Sequence, residues 1–470
     1  MTRIVIDPLS RVEGHGKVTL HLDENLKIIE ARLHIVEFRG FEKFIQGRPY
    51  WEVPVLVQRL CGICPVSHHL ASAKAMDQIM GVKMLTPAAE KLRRLLHYGQ
   101  VLQSHALHFF HLASPDLLFG FDSDMTRRNI MGLLKDYPEL AIRGIRLRKY
   151  GQEVIHAIMG KRIHGTAAIA GGMNKALSAA ERDFLLKDID EIIGWADGAA
   201  NLAKEIYLSN PEYASSSLYS PFLSLAGKNG EHELYDGHLR CRDGEGDFVF
   251  DGVDDSHYAE YIREEVKSWS YMKFPYLLML GKEQGWYRVG PLARINNCDF
   301  LGTELAEEKR REFISGGKPV HAPLAYHWAR MIELLHCAEK IRGMLHDPDI
   351  TGNDLRVDTE QGREGVGVIE APRGTLIHHY RVNEEGLVEM ANLIVSTTHN
   401  NRAMNEAVCE AAKRHVEGKT EITEGMLNGI EVAIRAFDPC LSCATHAVGK
   451  MPLLVEIVDC EGNVACSLKS

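Results

Sequence analysis

Two Cys-x-x-Cys pairs stand near opposite ends of the chain, Cys61-Gly-Ile-Cys64 running into Pro65-Val-Ser-His68-His69, and Cys440-Leu-Ser-Cys443 running into Ala-Thr-His446. If the fold brings the pairs together, four soft thiolates meet at one point, and four thiolates are a metal site. Cys61 and Cys64 lie just before a helix beginning at Pro65, where unpaired backbone N–H groups and the helix dipole favour thiolate over thiol. Cys440 and Cys443 follow Asp438-Pro439, where the residue before proline is pushed out of the α region, so a helix ends there and the pair sits on a turn. Three readings fit these residues: a structural tetrathiolate zinc, a catalytic or redox metal, and a thiol-disulfide pair. The long separation and the histidines after each pair argue against a compact zinc module.

The other cysteines do not extend the pattern. Ten cysteines in 470 residues are too few for a disulfide framework, and Cys241, Cys298, Cys337, Cys409, Cys460 and Cys466 read as ordinary thiols. An apolar fraction of 45%, a charged fraction of 25% and a net charge of -10 describe a globular protein without the basic stripe that phosphate backbones require. Nucleic acid is excluded as a partner. The N-terminus lacks a signal-peptide core, and no run of apolar residues is long enough to span a membrane. The expected location is the cytoplasm.

Period-2 alternation over 17–38 predicts a β-hairpin. From about residue 51 the period moves towards 3.6, with helices expected at 66–80 and 87–112, the second opening on Thr86-Pro87. Ser178-Ala-Ala-Glu181 is a capping box ahead of a helix to about 208. Residues 209–255 have weak periodicity and read as an irregular excursion. Helices are expected again at 256–270, 303–314, 323–346, 399–417 and 424–436, extended chain at 374–396, and a second hairpin after Pro452. No repeat or linker divides the chain. The expected fold class is mainly α with small β-sheets, a central helical bundle with peripheral hairpins.

Other segments carry chemistry. Arg11-Val-Glu13-Gly14-His15 puts a carboxylate in a turn, against the plain alternative of a solvated loop glutamate. His105, His108 and His111 recur at threes on one helix face ending at Asp116; packed core histidines fit that spacing better than a metal. Glu370-Ala-Pro372-Arg373-Gly374 sets a guanidinium on a proline-stiffened turn. Gly365-Val-Gly367 lacks the third glycine and the context of a nucleotide loop.

Taken together, Arg11-Val-Glu-Gly-His15, Arg39-Gly-Phe-Glu42, Arg59-Leu-Cys-Gly-Ile-Cys64-Pro-Val-Ser-His68, Ala371-Pro-Arg-Gly374 and Asp438-Pro-Cys-Leu-Ser-Cys-Ala-Thr-His446 resemble the large subunit of nickel-iron hydrogenases. The wording after Cys440 is most similar to the soluble NAD-reducing group. The resemblance implies the corresponding large-subunit fold over 1–446 as one domain, with 447–470 a maturation peptide removed after His446 by an endopeptidase. It implies reversible splitting of dihydrogen at a nickel bound by all four cysteines. Cys61 and Cys440 are terminal on nickel in this scheme, while Cys64 and Cys443 bridge to an iron carrying carbon monoxide and cyanide.

Splitting dihydrogen needs a metal to take hydride and a base to take the proton. By resemblance the proton passes to the Cys440 sulfur or the Arg373 guanidine and then to Glu13. The same resemblance implies that Asp116 and Asp438 orient Arg373, that Pro372 lies beside it, that His68 hydrogen-bonds near a bridging sulfur, and that Glu42, the Leu393 carbonyl and His446 hold magnesium. His399 departs from the tryptophan of many relatives. The chain has no further cysteine cluster for iron-sulfur centres, so the resemblance implies partners: a diaphorase module carrying FMN and binding NAD(P), reached through an iron-sulfur small subunit. The alternatives are a deazaflavin-reducing catalytic subunit or, in a different class, a non-catalytic zinc-stabilised scaffold.

Overall fold

The centre of the molecule is the helix Ala325–Leu345, which is buried on nearly every side and presents Arg330, Glu333 and His336 to the interior along with its apolar residues. A helix buried all round sits inside a bundle. Its neighbours are Pro87–Leu107 and Ile189–Ser209, and Pro87–Leu107 packs in turn on Pro138–Met159. That last pair approaches at backbone distance, because a Cβ on Gly151 would lie 2.6 Å from the Gly99 carbonyl oxygen. The computed structural model describes residues 2–445 other than 318 and 361, and the strands Leu454–Val458 and Val464–Lys469.

Most expected elements form, with bounds set by caps. Thr86 accepts a hydrogen bond from Ala89 N at the start of Pro87–Leu107, and the Ser178–Glu181 capping box opens Ala179–Leu186. The chain breaks there before resuming as Ile189–Ser209, so two helices replace the one expected. The expected helix through the three histidines also changes form. It is α-helical to Leu107, π-helical over His108–Ala113, then α-helical again over Ser114–Phe119. A π turn inserts a residue and rotates everything after it.

Two expectations fail. The excursion at 209–255 contains the strands Phe222–Ala226, His238–Arg242 and Phe248–Val253, which form an antiparallel sheet. Phe222–Ala226 is buried at every position, so it carries no alternation to read. The helix expected at 256–270 is only a short turn, Tyr258–Tyr261, followed by the strand Ile262–Glu265 paired with Phe274–Leu277.

Two three-stranded antiparallel sheets position the chemistry. The first joins Thr2–Ile6, Gly16–Leu22 and Ile28–Ile35, and Glu13 sits in the connection between its first two strands. The second joins Glu364–Ala371, Gly374–Val382 and Val388–Ile394. Gly365-Val-Gly367 lies in this sheet and packs against the helix Pro65–Ile79; a Cβ on Gly367 would fall 2.0 Å from the Ala71 carbonyl oxygen. These glycines let strand and helix backbones touch. At the C-terminal end, Leu454–Val458 and Val464–Lys469 pair antiparallel as a hairpin.

Candidate metal centre

The two Cys-x-x-Cys pairs meet. Their four sulfurs all lie within 4.8 Å of one another, the one such metal-ligating group among the described residues, and none of the four is more than 5% exposed. Cys64 is the N-cap of Pro65–Ile79, and the Cys61 sulfur accepts from the backbone N–H groups of Ile63 at 3.2 Å and Cys64 at 3.1 Å. Cys440 arrives from the opposite end of the chain, with its sulfur 3.5 Å from that of Cys61.

Backbone contacts hold the second pair in place. Asp438 takes a positive φ of 52°, which turns the chain sharply after Glu424–Arg435. Cys440 then forms an isolated bridge with Glu13, Leu441 N donates to the Glu13 carbonyl at 2.9 Å, and Cys440 N donates to Thr397 Oγ1 at 3.0 Å. Further along, Thr445 O accepts from the N–H groups of Arg39 and Gly40, while the Arg39 guanidinium binds the carbonyls of Arg59 and Leu60. Arg39 thus ties the two cysteine turns to one another.

Burial in apolar surroundings raises the thiols of Cys440 and Cys443 well above their ordinary range. Hydrogen bonds from Cys440, Cys443 and Cys61, and then from His68, hold Cys64 well below it. Full ionisation requires a cation among the sulfurs, as expected of a metal-binding set.

Glu13 is half-buried beside the cluster. Its Oε2 accepts from Cys440 Sγ at 2.9 Å and from Ser442 N at 3.2 Å, and Oε1 accepts from Ser442 Oγ. Arg373 overhangs the same cavity, which Cys64, His68, Pro372, Thr397, Cys440 and Cys443 also line. Its Nε donates to the Asp438 carbonyl at 2.6 Å and Nη2 to Asp438 Oδ1 at 3.1 Å. Burial opposes its charge, but Asp438 and the cysteine sulfurs outweigh burial and raise its pKa further. Arg373 Nη1 and Asp438 Oδ2 remain buried with no hydrogen-bond partner.

Asp116 requires a correction. Arg11, Arg435 and Asn428 hold its carboxylate, Arg435 at 2.6 Å and Asn428 at 3.1 Å, and Arg373 bonds Asp438 instead. Asp116 lies beyond the π-helical turn, in a separate short helix. Of the three preceding histidines, His105 bonds Glu333 and His108 bonds the Arg435 carbonyl.

Sequence reasoning missed the groups that aim Arg373. Arg294, 1% exposed, makes a bidentate pair with Glu333 at 2.5 and 2.7 Å. It also donates to Glu370 at 2.7 Å and to the carbonyls of Ala371 at 3.0 Å and Pro372 at 3.2 Å. The donors not paired with Glu333 grip the turn that carries Arg373. Burial opposes charge on Glu333, yet Arg294, His105 and His232 hold its carboxyl well below the usual range. No local sequence signal announces a pair built from residues so far apart.

Glu42 and Leu393 also meet, Leu393 N donating to Glu42 Oε1 at 3.0 Å. Lys273 Nζ lies 3.7 Å from the same oxygen and 2.8 Å from Glu264. His446 lies outside the described residues. His399 is buried, with Nδ1 2.5 Å from the Tyr287 hydroxyl, and burial pushes its pKa down to about 3. It is neutral at physiological pH.

Comparison with known proteins agrees with this geometry. The nickel-dependent hydrogenase family model matches residues 39–119 and 228–446, and a HoxL-like model matches 3–38. The chain is 47% identical to the NAD-reducing hydrogenase HoxS subunit beta of Cupriavidus necator over 98% of each chain. It is 41% identical to a subunit of the F420-non-reducing hydrogenase vhc of Methanococcus voltae, over 98% of this chain and 99% of that one. A crystal structure of an NAD+-reducing [NiFe]-hydrogenase in the H2-reduced state superposes with a TM-score of 0.93 at 55% identity, covering 95% of this chain and 100% of the other. With four buried thiolates converging in a fold of this kind, the chain belongs to the nickel-dependent hydrogenase family.

Proposed function

We propose that this chain is the catalytic subunit of a hydrogenase that reversibly splits dihydrogen into protons and electrons and passes the electrons through partner subunits to NAD(P). The observation that carries the reading is the buried four-sulfur cluster, flanked on one side by Glu13 and on another by Arg373. The donor set suits the group: soft thiolates match nickel and low-spin iron, and the partnerless Arg373 Nη1 and Asp438 Oδ2 are buried beside them. Cys61, Cys64, Cys440 and Cys443 would hold the nickel-iron centre, which when bound supplies the site where dihydrogen is polarised and its electrons are collected.

The protein's own residues handle the proton and the field. Glu13 Oε2 lies 2.9 Å from Cys440 Sγ, so a proton arriving on that sulfur passes directly to the carboxylate. Ser442 steadies the other oxygen, and the half-buried position gives Glu13 a way towards solvent. Arg373, which lines the cavity, is a fixed cation whose two bonds to Asp438 leave Nη1 buried without a partner. Pro372 stiffens its turn, and the tight walls leave room for a very small substrate.

The finer assignments are proposed with it. Cys61, Cys64, Cys440 and Cys443 would together hold the nickel and the iron, and the iron would carry carbon monoxide and cyanide. Glu42 and the Leu393 carbonyl hold magnesium with His446. The partners are an FMN-containing diaphorase and an iron-sulfur small subunit; an endopeptidase cuts after His446. The NAD-reducing relatives support a cytoplasmic location, and among the described residues no helix is long and apolar enough to cross a membrane.

Glu13→Gln tests the reading. The amide cannot relay the proton, so nickel content should match the parent while hydrogen oxidation is abolished. Full hydrogen oxidation in this variant would refute the role of Glu13, and zinc in place of nickel in the parent would refute the centre.

A further inference from the structure

Behind His68 runs a line of buried rings to which the proton chemistry at Glu13 gives no part. His68 Nδ1 lies 3.1 Å from His378 Nε2, and His378 Nδ1 lies 2.6 Å from the Tyr380 hydroxyl. None of the three is more than 1% exposed. The local structure explains the line. His68 is on the first turn of Pro65–Ile79, while His378 and Tyr380, two apart on the strand Gly374–Val382, share one face. The strand packs on the helix, so the rings meet at an angle, His68 tilted 50° to His378 and His378 at 72° to Tyr380.

Two neutral imidazole nitrogens can hydrogen-bond only when one carries the proton and the other does not. The protons along the line are therefore ordered, and the group at the far end chooses the direction. That group is a phenol, which keeps its proton at neutral pH, and burial strengthens the preference. If Tyr380 donates to His378 Nδ1, the His378 proton sits on Nε2 and is donated to His68 Nδ1. The His68 proton then sits on Nε2, the remaining nitrogen, which is free to serve the Cys64 sulfur. The opposite order would leave a lone pair facing a thiolate.

We propose that Tyr380 and His378 are positioning residues of the metal centre, whose ordered hydrogen bonds fix the His68 tautomer that donates Nε2–H to the Cys64 sulfur. The outer partners of a ligand's hydrogen-bond donor orient it and tune the metal, and losing one typically costs roughly tenfold or more in activity or affinity. The proposal rests on the nickel reading above.

The test compares holoenzymes carrying Tyr380→Phe, His378→Gln and both changes, by nickel content, kcat and KM for hydrogen, and the nickel electron paramagnetic resonance spectrum. Tyr380→Phe should retain nickel, shift the spectrum and lower kcat roughly tenfold with KM little changed. A glutamine amide N–H reaches the place of His378 Nε2–H without help from Tyr380. His378→Gln should therefore stay close to the parent, and the double variant should match it. An unshifted spectrum in Tyr380→Phe would overturn the proposal, as would a double variant that keeps the single variant's shift. Should Tyr380→Phe assemble no nickel, recovery of nickel in the double variant supports the ordered line and failure to recover overturns it. A parent without nickel would refute the centre itself, and the proposal with it.

Discussion

The Arg373 guanidinium is bonded by one residue, since Asp438 offers it both a carbonyl and a carboxylate. A lysine keeps the charge but has no planar fork and cannot make both bonds while still facing the cavity. Arg373→Lys should retain nickel and lose roughly tenfold or more in hydrogen oxidation, measured as turnover per nickel. Cys61, Cys64, Cys440, Cys443, Glu13 and Arg373 were legible one by one, because each sits in a short motif whose local geometry is carried by proline or glycine neighbours. Asp116 was not. Its expected place beside Arg373 rested on the family resemblance, whereas here Arg11, Arg435 and Asn428, distant in the chain, claim its carboxylate.

The strand Glu364–Ala371 shows how one element positions a site at its end. It lies against Pro65–Ile79 at backbone distance, and its last residue pairs with Gly374 across the Pro372–Arg373 turn. Cys64 begins the helix and Arg373 follows the strand, so the separation of these two elements sets the mouth of the cavity. Gly367→Ala places a methyl on the Ala71 carbonyl and must push strand from helix. It should destabilise the protein by about 1–3 kcal/mol, read from denaturant midpoints, and reduce nickel content in the same preparation. The hairpin at 17–38 was legible because one face is buried and the other is not. The strands at Phe222–Ala226 and Glu364–Ala371 are buried on both faces, and burial on both faces erases period 2. Their existence is a consequence of what packs on them.

Across the whole molecule, the interior holds histidines that folding keeps neutral at pH values where the unfolded chain would protonate them. Burial pushes the pKa of His69 and His97 down to about 4 and that of His399 to about 3. Their unfolded values are near 6.5. Between those limits the unfolded chain binds more protons than the native one, so stability rises with pH. The contribution is fully present above about pH 6.5 and is lost as pH falls towards 4, at about 1.4 kcal/mol per pH unit for each histidine. Denaturant midpoints measured from pH 7.5 down to pH 5 should fall steadily below pH 6.5. A flat profile would mean that these rings find protons in the native state.

By itself the sequence determined the composition of the metal site, the helical character of the chain and its family, since each is written in contiguous residues: a Cys-x-x-Cys turn, a 3.6-residue period, an Ala-Pro-Arg-Gly turn. Only the tertiary structure decided which carboxylate holds Arg373, that Arg294, paired with Glu333, grips the turn behind it, and that His68 ends a line of rings running to Tyr380. Those pairings join residues far apart in the chain. A buried charge or ring nitrogen is stable only with a partner, but the chain on its own does not say which partner the packing brings.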